Sequence, residues 1–309
     1  MPTFDTPAPI SVSIDIGVGS VEVIASDRAD TVVDVRPTNP ANKSDVSAAE
    51  QTRVSYSDGT LTVKAPRNWR QYVVWSERGS VDVKIELPSG SRLRGEADAA
   101  KLVGAVGVGE LRGTGVLGEC AFKVGAGDIQ LSHAGPLQLR TGAGDITVEQ
   151  AIGPSELTTG SGAVHVSRAE GPAVIKNSNG DIWVGEAGAD LRVTTANGKI
   201  WVALARSDVE AKTANGSVQI DEVIGGTVSA HTAMGKVEVG VRRGVAALLD
   251  LETSWGKVLN GLDASSPPQP GEPSVEVRAR TSFGDIRVFR ASGPDVVESP
   301  ATTPTADHA

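Results

Sequence analysis

Residues 178–220 read SNGDIWVGEAGADLRVTTANGKIWVALARSDVEAKTANGSVQI and hold three copies of one short pattern. Each copy is a turn that ends in glycine, followed by a polar residue, an apolar residue, any residue and a second apolar residue. The glycines of the three copies, Gly180, Gly198 and Gly216, are 18 residues apart. A fixed period of this length is typical of repeat proteins, in which every repeat is one small structural unit.

The same pattern extends far beyond this stretch. Successive marker glycines are 17 to 19 residues apart as far as Gly235, and the last two intervals are 21 and 28 residues. A weaker copy places a further marker at Gly109, and the widest interval indicates a proline-rich insertion over residues 261–273. We expect the markers to be structural turn glycines. They are Gly127, Gly144, Gly162, Gly180, Gly198, Gly216, Gly235, Gly256 and Gly284.

The residues around each glycine alternate between apolar and polar, which is the pattern of a strand with one buried face. Around Gly198, for example, Leu191 and Val193 precede the turn and Ile200 and Val202 follow it. An 18-residue unit cannot bury its own apolar face, so the units must stack on one another. The sequence therefore predicts an all-β fold, a two-sided β-solenoid with coils of about 18 residues.

A polar column accompanies the turns, three residues before the glycine. We expect these side chains to lie in a line, each bonding to backbone or to the next threonine. The column contains Thr141, Thr159, Thr195, Thr213, Thr232, Thr253 and Thr281, with Asn177 in one unit.

The repeat also divides the chain into regions. Residues 101–290 are predicted to form the regular solenoid. Residues 1–100 alternate less regularly and are predicted to form a β region that continues the stack and caps its N-terminal edge, because an open solenoid edge invites aggregation. Residues 291–309 are rich in Pro, Ser, Thr, Asp and Glu and are predicted to be disordered.

Composition excludes several classes of protein. The 29 basic and 38 acidic residues give a net charge of −9, which argues against nucleic-acid binding. The single cysteine, Cys120, excludes an intrachain disulfide and a cysteine-rich zinc site. It falls in the inward column, where packing is the expected role. Neither a signal peptide nor a membrane-spanning segment is evident in the sequence, so we expect a cytoplasmic protein.

The chain resembles a known group, the bacterial "putative adhesin" β-solenoid domains of unknown function. The resemblance rests on PISVSIDIGVGSVEVIAS near the start, on DGTLTVKAP, and on the stacked GAGDI, SNGDI and ANGKI units. It covers roughly residues 5–290, and it implies the solenoid fold and a role in binding or adhesion.

Patterns that would support catalysis are missing from the sequence. The four histidines are scattered without metal-site spacing, and Ser161 lacks the surroundings of a nucleophile elbow. Asp128, Asp145 and Asp181 follow marker glycines, but Lys199 shares their column and would repel a calcium ion. We expect such turn carboxylates to bond backbone amides. The sequence thus predicts no catalytic residue, cofactor or metal, and a protein that is not an enzyme.

One candidate binding face remains. Trp183 and Trp201 are 18 residues apart on the outward side, and His165 lies one coil earlier. Aromatic side chains in register can form a platform for a sugar ring or a protein partner. The alternative is that they stack across coils and only stiffen the sheet.

The leading hypothesis is a non-catalytic binding or scaffold protein that presents flat repeat faces to a protein or a glycan. One alternative is a carbohydrate-directed protein, either lectin-like or a degenerate polysaccharide-acting enzyme. Another is a structural protein that associates with itself.

Overall fold

The computed structural model of the chain describes residues 1–65, 79–97, 109–263 and 273–291, with the backbone alone at residues 94–97. These residues form 27 strands and one α-helix. The predicted tail apart from Ala291, most of the predicted insertion and residues 101–108 of the predicted solenoid lie outside the described residues. The elements are β1 Thr3–Asp5, β2 Ser11–Ile16, β3 Gly19–Ser26, β4 Asp30–Pro37, α1 Lys43–Gln51, β5 Arg53–Ser57, β6 Thr60–Lys64, β7 Val81–Pro88, β8 Arg92–Ala97, β9 Gly109–Leu117, β10 Cys120–Ala126, β11 Ile129–Ala134, β12 Leu137–Ala143, β13 Ile146–Ala151, β14 Ser155–Ser161, β15 Val164–Ala169, β16 Ala173–Asn179, β17 Ile182–Ala187, β18 Leu191–Asn197, β19 Ile200–Ala205, β20 Val209–Asn215, β21 Val218–Val223, β22 Gly226–Met234, β23 Val237–Val241, β24 Ala246–Trp255, β25 Val258–Asn260, β26 Ser274–Phe283 and β27 Ile286–Arg290.

The strands build two long sheets that face each other. Sheet A has 14 strands and sheet B has 13. In a regular coil the chain runs along a strand of sheet B, such as β18, passes a glycine turn and returns along a strand of sheet A, such as β19. Equivalent strands of adjacent coils pair in parallel, so that Ile182 lies opposite Ile200 and Ile200 opposite Val218. The predicted two-sided β-solenoid is confirmed.

The core lies between the two sheets and contains the side chains of every second residue of each strand. Val193 of β18 and Ile200 of β19 are both fully buried, while their neighbours Arg192 and Lys199 are exposed. Cys120 also lies in this core. Because most coils contribute Ala, Val, Leu or Ile at these positions, the interior is a stack of similar layers.

The glycine turns are required by two independent constraints. At Gly198 the backbone has φ +147°, a conformation that side chains rarely adopt. A β-carbon there would lie only 2.1 Å from the carbonyl oxygen of Gly180 in the preceding coil. The close approach of consecutive turns therefore leaves no room for any residue but glycine.

The threonine column links each coil to its neighbour. Thr213 donates its hydroxyl to the carbonyl oxygen of Gly198, 3.2 Å away, and Thr232 donates to Gly216 at 2.9 Å. In the unit that has asparagine instead, the Nδ2 of Asn177 donates to Gly162 at 2.8 Å. The column thus bonds to the backbone of the preceding coil.

The stacking order departs from the chain order at both ends. Near the N-terminus, the coil formed by β2 and β3 lies between the coil of β6 and β7 and the coil of β8 and β9. Near the C-terminus, the last coil, β26 and β27, lies between the coil of β22 and β23 and the coil of β24 and β25. The outermost coil at each end is therefore not the terminal one in the chain.

Antiparallel strands close the N-terminal end of the stack, as the sequence predicted. In sheet A, β4 pairs antiparallel with β7 and β1 with β4, and in sheet B, β5 pairs antiparallel with β6. Helix α1 begins after Asn42, whose side chain accepts from the amide of Ser44. Asp45 is buried and accepts from the amides of Asn39 and Ser80, so it ties the helix to the stack. Within the described residues, no helix is long and apolar enough to span a membrane.

Candidate functional site

The outward face of sheet A brings the three candidate binding residues side by side. His165, Trp183 and Trp201 each occupy the second position of their strands, β15, β17 and β19. Their α-carbons are direct partners in the parallel register. All three side chains are half-buried. We call these residues the aromatic ladder.

The rings of the ladder contact one another. The imidazole of His165 stacks on the indole of Trp183 with centroids 3.8 Å apart and planes 15° apart. The two indoles lie 5.4 Å apart at 56°. Such aromatic pairs contribute about 0.5–1.5 kcal/mol each beyond area burial. The ladder therefore stiffens three consecutive coils whatever else it does.

Trp201 is held in place by polar neighbours. Its Nε1 donates to Oδ2 of Asp221 over 2.6 Å, and Oδ1 of the same carboxylate accepts from Nε2 of Gln219 at 2.6 Å. The ammonium of Lys199 lies 5.8 Å from the centroid of its ring, within the range of a cation–π contact. The indole is thus fixed in orientation, with charge on either side.

Trp183 lies across small neighbours on the same face. A β-carbon on Gly185 would come within 3.0 Å of the Cη2 atom of this indole and within 2.4 Å of the carbonyl oxygen of Ser167. The absence of a side chain at position 185 lets the ring lie close to the sheet. The Nε1 of Trp183 is buried and has no hydrogen-bond partner among the residues that the structure describes.

Burial lowers the pKa of His165 from its ordinary value, because the folded environment disfavours the charged imidazolium. The side chain is therefore neutral at pH 7, and the stack on Trp183 is that of an uncharged ring. Since the unfolded chain takes up this proton more readily, the linked stability falls as pH drops below about 6.5, the ordinary histidine pKa.

Groups that would support other chemistry occupy structural positions. The carboxylate of Asp145 accepts from the amide of Ala163 at 2.7 Å, and Asp181 accepts from the amide of Lys199 at 2.7 Å. Burial raises the pKa of the Cys120 thiol to about 12, which keeps it protonated. Over the described ranges, no group of three or more His, Cys, Asp or Glu side chains could hold a metal ion.

Sequence reasoning placed the ladder in register but missed its polar partners. Asp221 follows Trp201 by 20 residues, which is one coil plus two positions along the neighbouring strand. The same offset joins Arg206 to Glu186 and Arg242 to Glu222. A search for complementary pairs 20 residues apart would therefore have found these contacts.

The family comparison recognises the repeat along most of the chain. The family model described as Toastrack DUF4097 matches residues 11–288. The chain belongs to this Toastrack family. The family-level resemblance noted in the sequence is thereby confirmed.

Several solved structures are similar to this Toastrack chain. A "putative adhesin" from Bacteroides fragilis NCTC 9343 is 12% identical with a TM-score of 0.39, over 93% of this chain and 96% of its own. A "putative adhesin" from Parabacteroides merdae ATCC 43184 is 12% identical with a TM-score of 0.40, over 94% and 95%. A "putative lipid binding protein" from Parabacteroides distasonis ATCC 8503 is 10% identical with a TM-score of 0.29, over 94% and 96%. No protein among the curated ones matches the chain significantly.

Proposed function

We propose that this Toastrack chain is a non-catalytic scaffold that binds a protein partner through the outward face of sheet A, with the aromatic ladder at the centre of the contact. The observation that carries the proposal is the register of His165, Trp183 and Trp201 on three adjacent strands. Aromatic side chains that are already ordered lose little entropy on binding, and they are enriched at the centres of protein interfaces.

The ring contacts favour a protein over a glycan as the partner. A sugar stacks on an indole face, and the ladder uses its faces internally. His165 lies against Trp183, and Lys199 lies over Trp201. Beside the rings lie the small residues Ser167 and Gly185. An apolar surface next to small residues suits side chains of another protein.

A lectin-like function remains the second candidate on one specific observation. The carboxylate of Asp221 lies directly beside the Trp201 indole. An indole next to a carboxylate supplies both an apolar surface and an acceptor for hydroxyl groups.

Two features support a non-catalytic role. The Cys120 thiol is buried and its pKa is raised to about 12, so it is a poor nucleophile. Each turn carboxylate described above is engaged with a backbone amide of the next coil.

The proposal is tested by selecting binders from a random-peptide phage library on the wild-type chain and probing the same chain on a glycan array. Trp183→Ala and Trp201→Ala should weaken the selected peptides at least about tenfold, the scale of a modest hot spot. Phe283→Ala is the matched control, because Phe283 is 56% exposed and lies in β26 of sheet B, away from the ladder. This variant should bind the selected peptides as tightly as the wild type.

Circular dichroism and thermal melting check that each variant remains folded. Peptides that bind both ladder variants as tightly as the wild type would contradict the proposal. Glycan binding by the wild type that disappears in the ladder variants would instead support the lectin-like function.

A further inference from the structure

At the C-terminal end of the stack each sheet ends in a single strand. β24 is the last strand of sheet B and β25 the last strand of sheet A. β24 pairs with β26 and β25 pairs with β27, both in parallel. On its other side, neither strand pairs with any strand of the described residues. We call these two outer sides the C-terminal edge.

Backbone groups are directed outward along this edge. The amide of Ala246 donates to the carbonyl oxygen of Pro273, inside the stack. Successive residues of a strand in a parallel sheet point their N–H and C=O groups to opposite neighbours. Leu249 and Leu251 therefore direct theirs away from β26. A strand of ten residues with such groups is a template for pairing with another strand.

Several side chains of the C-terminal edge are apolar and exposed. In the regular coils the inward column is fully buried, as at Ile200, but Val258 in the same column is 44% exposed. Leu249 and Leu251 are only partly buried against the core. Leu248 and Leu259, which point out of the sheets, are 68% and 49% exposed. Core-type residues thus lie at the surface here.

The two ends of the solenoid are not equivalent. Antiparallel strands β1, β4 and β5 and helix α1 close the N-terminal end. Comparable antiparallel strands do not follow β24 and β25 within residues 246–263 or 273–291. The outermost N-terminal strands, β1 and β5, also have one side that no described strand pairs with, but they have only three and five residues. Head-to-tail stacking would therefore pair the ten-residue β24 with a strand of half its length at most.

We propose that the C-terminal edge docks against the same edge of a second copy of this chain, as a two-fold dimer. A two-fold axis that lies across the end and perpendicular to the strands reverses the strand direction, so β24 meets β24 of the second copy as an antiparallel strand, which pairs well. β24 contributes ten residues and β25 three, and at about 3.4 Å each with about 10 Å of width per sheet edge they give about 450 Å² per copy. Two copies would bury about 900 Å² in total, which is the size of weak, reversible interfaces.

Charge on the edge does not oppose this contact. The carboxylates of Asp250 and Glu252 lie within 3.3 and 3.6 Å of the guanidinium of Arg280 on the neighbouring strand. The net charge of −9 still makes two copies repel at long range. Salt should therefore strengthen the dimer, because it screens that repulsion and leaves the apolar contact intact.

Sedimentation of the full chain tests the proposal. The wild type should move from 31.8 kDa to twice that mass and stop there as its concentration rises. The double variant Leu248→Lys/Val258→Lys should raise the dissociation constant at least tenfold, because charge on an edge blocks pairing. The matched control is Ile152→Lys, at a residue 47% exposed and far from the edge, which should change it less than about twofold.

Three results would overturn the proposal. One is a wild-type chain that stays at the mass of one copy up to about 1 mM, the dissociation constant of a weak contact. Another is growth beyond two copies, which signals head-to-tail stacking. The third is an edge variant that dimerises like the wild type. The proposal is separate from the aromatic ladder, so Trp183→Ala should leave the dimer intact.

Discussion

Thr232 lies three residues before Gly235 and is fully buried, and its hydroxyl donates to the carbonyl oxygen of Gly216 at 2.9 Å. The sequence identified the column to which it belongs but left two partners open, the backbone or the next threonine. The carbonyl was not predictable, because its direction depends on the positive φ of the glycine turn in the preceding coil. The period alone does not set that direction.

Replacing Thr232 by valine keeps the shape and removes the donor. We expect Thr232→Val to lower the free energy of unfolding by about 1 kcal/mol, because the carbonyl of Gly216 then loses its bond to this hydroxyl. Denaturant unfolding measures the change. Thr194→Val, at an exposed position of β18, is the control and should stay within about 0.5 kcal/mol. A neutral Thr232→Val would mean that the column acts through its shape.

At the scale of the strand, alternation predicted which side chains enter the core. It did so correctly for Val193 and Ile200, because a strand has a period of two and only one face of each sheet is buried. It did not predict Ala205, which is buried three positions after Val202. The two residues between them are both half-buried. The regular pairing with β17 skips one position between Val202 and Leu204, and simple alternation fails here.

The assignment of the two faces is tested on β18. Val193→Asp places a carboxylate in the core and should cost several kcal/mol unless the group protonates. Arg192→Asp, one residue away, loses the exposed ion pair of Arg192 with Glu210 at 2.7 Å and should cost about 1 kcal/mol or less. Denaturant unfolding of both variants gives the comparison. Equal losses would show that the inward and outward columns are exchanged.

At the scale of the whole molecule, near-identical repeats carry little information about their order. Every coil offers the same parallel partners, so the period predicts stacking without saying which coil is outermost. A trace of the true order is nevertheless present in the spacing. The interval from Gly235 to Gly256 is 21 residues rather than 18. The additional residues allow the chain to cross the position that the last coil occupies.

Hydrogen exchange followed by mass spectrometry tests the order directly. Amides of β26 and β27 should exchange more slowly than those of β24 and β25, although they are nearer the end of the chain. The reason is that β26 and β27 have paired strands on both sides, while β24 and β25 lie at the end of the stack. Exchange that increases steadily toward the C-terminus would contradict the observed order.

The inserted position of β26 and β27 also has a consequence for biosynthesis. On the ribosome, β22 and β24 are complete before β26 has been made, and both are parallel strands that could pair with each other directly. At typical elongation rates the residues from β25 to the end of β27 take on the order of seconds to appear. During that interval the nascent chain must either keep the two coils apart or separate them again. The final coil is therefore inserted between two coils that already exist, instead of being added at the end of the stack.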